Sequence, residues 1–367
     1  MHWPRSGTRS PRAAETADLT MTGIPVPSAL QSAITKLAHH QPISADDAAE
    51  AFGVIMRGEG TAVQIAAMLA GLRVRGETSE IVAGVVRALR EVMVRLPSTN
   101  QDELVDTCGT GGGAVATFNI STAAALLAAG AGVRVAKHGN RSFTSKCGSA
   151  DVLEALGVPV DAPLATMEKA LETAGIVFMY APLMHPAMRH VGPIRRELGI
   201  PTVMNVVGPL ANPAGAARQV VGVADAHRVA ILAGALAELG SIHSMVVHGE
   251  PGLDEISPLG PTHVVEIKNR VTTEWTIQPS DYGMESTDAS ELAGGDPADN
   301  ARIVREVLSG GGTAAGRSAV ILNAAAAIYV SGKVKKFADG VGKAKAALAE
   351  GKGMAALERL RAAYTVS

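Results

Sequence analysis

Apolar residues recur at three- and four-residue spacing along four consecutive stretches between about Pro27 and Pro97: SALQSAITKLAHH, SADDAAEAFGVIMRGE, TAVQIAAMLAGLRVRG and TSEIVAGVVRALREVMVRL. That period lines one face of an α-helix. Three of the four open on Ser or Thr with Asp, Gln or a similar polar residue three positions on. A side-chain oxygen so placed caps the free N–H groups of a first turn. Four short helices joined by brief loops predict a small helical bundle.

Near Asn100 the period changes. ELVDTC and VRVAKHG have the texture of strands, with STAAALLAAGAG as a helix between them. That is a βαβ unit, and hence a parallel sheet. Further strands are expected at IVFMYA, QVVGVA, SMVVHG and HVVEIK. Helices are expected at MEKALETAG, HRVAILAGALAELG, NARIVREVLSG, AGRSAVILNAAAAIYVSG and the last stretch from Gly340. Between Pro182 and Gly208, HPAMRHVGPIRRELG forms a helical insertion that leaves the sheet and rejoins the bundle. The predicted fold class is α/β, with a small all-α helical domain and a large α/β domain built on a central, mainly parallel sheet. Residues 1–26 are expected as a disordered extension, 27–97 as the helical domain joined by an insertion at about 184–207, and 98–183 with 208–367 as the large domain.

Composition narrows the class. Aromatic residues make up only 3% of the 367 positions, so Ala, Val, Leu and Ile must fill the core. Lys plus Arg number 33 against 35 Asp plus Glu, a net charge of −2 with no basic excess for nucleic acid in bulk. No apolar run reaches the length of a bilayer span, so no membrane partner is expected. The opening MHWPRSGTRSPRAAETADLTMTG lacks an apolar signal core and mixes Glu15 and Asp18 with its arginines, which predicts a cytoplasmic protein. Met1 and Met21 both remain candidate starts. Cys108 and Cys147 form no CxxC pair and read as small buried residues in a reducing compartment.

The candidate chemistry begins at DTCGTGGGAVATFNIST, residues 106–122. Glycine at this density exposes backbone N–H groups, which cradle anions where a helix N-terminus follows. A P-loop reading fails because no lysine precedes Ser121 or Thr122. Gly109, Gly111 and Ala114 match the dinucleotide fingerprint, but the second strand ends in Lys137 and His138 where that fold wants an acid. What remains is a longer phosphate cradle, with Thr117, Asn119, Ser121 and Thr122 adding polar contacts. Ser121 and Thr122 also stand where a helix starts, so N-capping is their simpler role. The second strand delivers KHGNRSFTSKCGSAD, with three cations in Lys137, Arg141 and Lys146. Lys137 falls on the edge where open α/β sheets bind ligands, although a basic surface loop could serve solubility alone.

Together GTGG, NIST, KHGNR and GSADVLEALG resemble the anthranilate phosphoribosyltransferases, and HPAMRHVGPIRRELGIPTVMNVVGPLANPA, HGEPGLDEIS and LAGGDPADNARIV continue the likeness downstream, from about Pro27 to the C-terminus. The resemblance implies a dimer joined through the helical domain, Mg2+ as cofactor, and anthranilate with 5-phosphoribosyl 1-pyrophosphate as substrates. For phosphoribosyl pyrophosphate it implies Gly109, Gly112, Gly113, Thr117, Asn119, Ile120, Ser121, Thr122, Lys137, His138, Gly139, Asn140, Arg141, Ser145 and Ser149. For anthranilate it implies Gly109, Asn140, His185, Arg195 and Pro209, and for the metal Ser121, Asp254 and Glu255. Lys137 and Arg195 carry the positioning and charge stabilisation. From the residues alone, the pair Arg195–Arg196 is an exposed helix face, Asp254–Glu255 a solvated loop, and His138 and His190 structural histidines. His185 and His190 lack a third ligand and make no zinc site.

One position departs from the resemblance. The family's glycine loop usually closes on an acid where this chain has Gly113, which implies an altered Mg2+ dependence. Two rivals stand beside this reading. A pyrimidine-nucleoside phosphorylase shares the fold and a KHG-type loop, while the Arg195 segment and NVVGPLANP favour the anthranilate acceptor. A non-catalytic homologue that binds nucleic acid through the positive loops is opposed by the near-neutral charge.

Overall fold

A computed structural model of the chain describes residues 28–142 and 146–365; the expected extension over 1–26 and the candidate Ser145 lie outside them. Side-chain oxygens start each of the first four helices. Ser28 caps α1 (Ala29–Ala38), Ser44 caps α2 (Ala45–Met56), Thr61 caps α3 (Ala62–Arg75) and Thr78 caps α4 (Ser79–Val92). At Ser44 and Thr61 the box closes, because Asp47 and Gln64 reach back to the cap N–H. The apolar faces of the four helices meet around Leu30, Phe52, Leu69 and Val85, none of which is exposed to solvent.

Seven strands form one sheet: β1 (Leu104–Gly109), β2 (Arg134–Gly139), β3 (Ile176–Tyr180), β4 (Arg218–Gly222), β5 (His243–Gly249), β6 (Thr262–Lys268) and β7 (Val271–Ile277). Their order is β3-β2-β1-β4-β5-β6-β7. The pairs among the first five are parallel, and β5–β6 and β6–β7 are antiparallel. The sheet separates two cores. On one face Val220, Met245 and Val264 pack with α5 (Ile120–Gly130) and the helix Ala314–Val330. On the other, Val221, Val246 and Val265 share a continuous core with the bundle and the helix Val229–Glu238. The segment holding Ala187, Val191 and Met204 belongs to that second core, so it packs with α1–α4.

Two local expectations need correction. The start of α5 falls one residue before Ser121, with Asn119 in the cap position, so Ser121 and Thr122 sit inside the first turn and cap nothing. β7 is hidden from the periodicity because its first four residues are exposed and only Trp275 and Ile277 near its end pack on the core, which leaves too short an apolar alternation to read. Its signal is the turn before it. Asn269 and Arg270 both have positive φ (51° and 68°), the backbone of a two-residue hairpin joining Lys268 to its partner Val271.

Candidate active site

In this strand order the chain leaves β1 toward β2 on one side and has β4 on the other. The crevice at the carboxyl ends of β1 and β4 is therefore the switch point where open α/β sheets take ligands. The glycine loop closes over it. Thr110 N–H donates to Gly222 O (2.9 Å), and the Thr110 hydroxyl accepts from Ala224 N–H (3.2 Å). A Cβ on Gly109 would run into the carboxylate of Asp254, which comes from the loop after β5. Glycine there admits the acid. Gly112, Gly113 and Thr117 line the open side of the loop, fully or partly exposed.

The two acids are held by backbone N–H groups. Gly111 N–H donates to Asp254 Oδ2 (2.7 Å) and Ser121 N–H donates to Glu255 Oε1 (3.0 Å). Glu255 thus takes the anion's place at the N-terminus of α5, the spot favoured by the helix dipole. Burial raises the carboxyl pKa of both, and at Glu255 the neighbouring Asp254 charge raises it further. Asn323, a buried amide on the helix Ala314–Val330, fixes the next residue: its Oδ1 accepts from Ile256 N–H and its Nδ2 donates to Ile256 O, each at 2.9 Å. A cavity of about 10 Å³ lies between Thr107, Ser121, Glu255 and Asn323.

Lys137 is buried beneath this loop, 3% exposed. Its Nζ donates to Thr107 O (2.6 Å) and Ser121 Oγ (3.4 Å). Burial pulls its pKa down, while the charges of Asp106 and Glu255 hold it up. Successive strand residues face opposite sides, so Asp106 and His138 point away from α5. There Asp106, wholly buried, accepts from His138 N–H (3.2 Å) and from Asn212 Nδ2 (2.8 Å). Burial raises its carboxyl to about 6 against the opposing pull of Lys137 and those donors. Asn212 also donates to Ala136 O (2.8 Å). Pro209 O accepts from Gln219 Nε2 (2.8 Å), so the segment 208–214 is pinned to β1, β2 and β4.

His138 meets His185 on this second face, the ring centroids 5.0 Å apart. Burial keeps both neutral, with pKa values lowered to about 3 and about 4. His138 Nε2 lacks a hydrogen-bond partner among the described residues. Arg195, half-buried on the helix Gly192–Leu198, donates to Asn205 Oδ1 (3.4 Å) alone among the described residues, and burial lowers its pKa. Among the described ion pairs it has no acid. Arg196 is exposed.

Other candidates sit at the rim. Asn140 Oδ1 accepts from Arg141 N–H (2.7 Å), and Ser149 Oγ donates to Asn140 O (3.3 Å) beside Gly139. Asn119 links the cap of α5 to Cys147 O (3.2 Å) and Asn300 (2.9 Å), next to the buried Ile120. Thr122 Oγ1 is buried without a partner among the described residues. Arg141 is bound to Asp151 (2.8 Å) and Glu154 (2.6 Å). His190 packs on Gly58 at the end of α2, a structural contact. Sequence reasoning missed Asp106, Asn212 and Asn323. Asn323 had a signal, as the lone polar residue in AVILNAAAAI.

Sequence models of a glycosyl transferase family match this chain twice: the a/b domain over residues 101–354 and the helical bundle domain over residues 31–93. The anthranilate phosphoribosyltransferase of Anaeromyxobacter dehalogenans (strain 2CP-C) is 49% identical over 339 residues, covering 92% of this chain and 99% of that protein. The crystal structure of the anthranilate phosphoribosyltransferase from Thermus thermophilus superposes with a TM-score of 0.86 at 40% identity, over 91% of this chain and 99% of that one. The Saccharomyces cerevisiae anthranilate phosphoribosyltransferase in complex with PRPP and Mg gives a TM-score of 0.82 at 30% identity, over 92% and 98%.

Proposed function

This chain belongs to the anthranilate phosphoribosyltransferase family, and we propose how its residues divide the work of that reaction. It is a pentosyl-transferring glycosyltransferase of tryptophan biosynthesis. The amine of anthranilate attacks C1 of 5-phosphoribosyl 1-pyrophosphate, the C1–O bond to pyrophosphate breaks, and N-(5-phosphoribosyl)anthranilate and pyrophosphate leave. The observation that carries this reading is the Asp254–Glu255 pair held on the N–H groups of the glycine loop and α5 at the sheet's switch point. Its test is consumption of anthranilate, followed by fluorescence, that stops when either phosphoribosyl pyrophosphate or Mg2+ is left out.

An aromatic amine is already a nucleophile, so the site's task is to place the reactants and stabilise the leaving group. The loop 109–113, with Thr117, Asn119 and the first turn of α5, cradles the phosphoribosyl pyrophosphate. Lys137 supplies positive charge from beneath. Arg195 takes the acceptor's carboxylate, for which a half-buried guanidinium without an acid is suited. His185, Pro209 and Asn140 wall the acceptor, and His138 supports His185.

Asp254, Glu255 and Ser121 offer hard oxygen donors, the chemistry that suits Mg2+. Among the described residues no group of three or more His, Cys, Asp and Glu could hold a metal alone. Phosphate oxygens are then needed to complete the shell, as Mg2+ prefers. When bound, Mg2+ neutralises charge on the departing pyrophosphate. Gly113 lies where a side chain would matter: a Cβ there would stand 3.0 Å from Gly252 O and 3.4 Å from Asp254 Oδ1. Gly113→Asp brings a third carboxylate to the pair. The Mg2+ concentration for half-maximal rate is expected to fall about three- to tenfold, since ligand charge sets cation affinity. An unchanged Mg2+ optimum, with unchanged calorimetric Mg2+ binding in pyrophosphate, refutes that role for position 113.

The same reading carries a homodimer through the helical domain and a cytoplasmic location. α3 presents an outward apolar stripe, with Val63 79% and Val74 89% exposed and Ala66, Ala67 and Ala70 between them. Val63→Asp combined with Val74→Asp should convert a dimer to a monomer in sedimentation velocity, and a dimer that persists moves the interface elsewhere. Cys108 and Cys147 are not joined in a disulfide. Among the described residues no helix is long and apolar enough to cross a membrane.

A further inference from the structure

The acceptor wall is tied to the helical domain as well as to the sheet. Arg90 lies in the last turn of α4, and both its Nε (3.1 Å) and Nη2 (2.6 Å) donate to Leu210 O. Leu210 is fully buried and ends the short 3-10 helix Gly208–Leu210 that carries Pro209. The chain leaving α4 makes two more ties: Val94 N–H donates to Met184 O (2.8 Å) and Leu96 N–H to Pro213 O (3.1 Å). Met184 precedes His185, and Pro213 lies within the pinned segment. Within seven residues, 90–96, the connection between the domains grips both segments that wall the acceptor. Among the described residues it makes no hydrogen bond to the glycine loop.

Among these ties Arg90 is the one made by a side chain. Among the described ion pairs it has no carboxylate partner, and burial together with the nearby Arg95 lowers its pKa. A guanidinium without a counter-charge costs free energy to bury, and the carbonyl of a helix end is its compensation. Where stability alone is served, an apolar side chain packs such a spot as well or better.

We propose that Arg90 is a positioning residue for the acceptor, holding the wall 208–213 in register with the helical domain that carries Arg195. This rests on the functional reading above. The acceptor's carboxylate partner and its ring wall then come from two segments packed on one core, and Arg90 fixes the register of the wall on that core. Phosphoribosyl pyrophosphate, held by the glycine loop and α5, is indifferent to it.

The test is steady-state kinetics of Arg90→Met and Arg90→Lys, with Arg87→Ala as control. Arg87 is one turn earlier on α4, exposed, and paired with Asp46 at 2.9 Å. Arg90→Met should raise the anthranilate KM about tenfold or more, as losing a hydrogen bond from a charged group does, with the phosphoribosyl pyrophosphate KM within about twofold. Arg90→Lys, which keeps one donor, should recover part of the loss, and Arg87→Ala should match the unaltered chain. If Arg90→Met does not fold, Arg90→Lys alone decides, by the same split. Equal KM changes for both substrates, or none, overturn the proposal. An unaltered chain without turnover overturns the functional reading itself, and this one with it.

Discussion

Lys137→Met is expected to lower kcat/KM for phosphoribosyl pyrophosphate by about 10²- to 10³-fold, the scale on which a preorganised charge acts on a developing anion. Lys137 is a buried cation between two acids, Asp106 across the strand and Glu255 above, and Glu255 has Asp254 as its neighbour. Methionine keeps the length of the side chain and removes its charge. The crevice that must receive a pyrophosphate then carries uncompensated carboxylates, and attraction turns to repulsion. The donor to Thr107 O and Ser121 Oγ is lost as well, so the first turn of α5 loses a tie. That loss alone costs about 1–3 kcal/mol of stability and shows in thermal unfolding. The kinetic effect is separable. The anthranilate KM should move little, and pyrophosphate should weaken as a product inhibitor in parallel with the rate. A variant that keeps its affinity for pyrophosphate while losing rate would move Lys137 out of leaving-group stabilisation.

Arg195→Leu should raise the anthranilate KM about 100-fold, equal to about 2.7 kcal/mol, with kcat far less affected. A guanidinium meeting a carboxylate out of water is worth about 2–5 kcal/mol when one partner is truncated. Arg195 is half-buried and, among the described residues, tied only to Asn205 Oδ1 at 3.4 Å, so little there competes for it. Arg195→Lys should recover only part of the loss, since an ammonium cannot match the planar fork. Aniline offers the decisive comparison because it has the amine without the carboxylate. With aniline as acceptor, the unaltered chain and Arg195→Leu should behave alike. A persistent difference would mean that Arg195 acts through the fold rather than on the substrate.

Much of the architecture was legible because helices and central strands write their burial into the chain. The bundle showed in its three- and four-residue period and its Ser and Thr caps, which each take a backbone N–H at α1–α4. The parallel strands showed as apolar runs between helices. β7 did not, since its first four residues are exposed and its partner is a hairpin neighbour. At α5 the serine and threonine that resemble caps are displaced by Asn119, whose side chain bonds to Cys147 O and Asn300 rather than to its own helix.

The site was legible at its ends and not in its supports. Glycines, lysine and paired acids stand out by residue type. What type alone does not reveal is direction: Lys137 points inward under the loop, and Arg141 pairs with Asp151 and Glu154 beside it. Asp106 stands in plain view at the head of the glycine motif. Its role depends on Asn212, more than a hundred residues away, and only the fold brings the two within 2.8 Å.

The measurement that bears most directly on the central claim is the loss of anthranilate fluorescence with purified protein, phosphoribosyl pyrophosphate and a Mg2+ titration. Turnover that requires all three, and is crippled in Lys137→Ala and Arg195→Ala, is the predicted result. No turnover at any Mg2+ concentration, with phosphoribosyl pyrophosphate still bound, would contradict it and point to another acceptor for the same cradle.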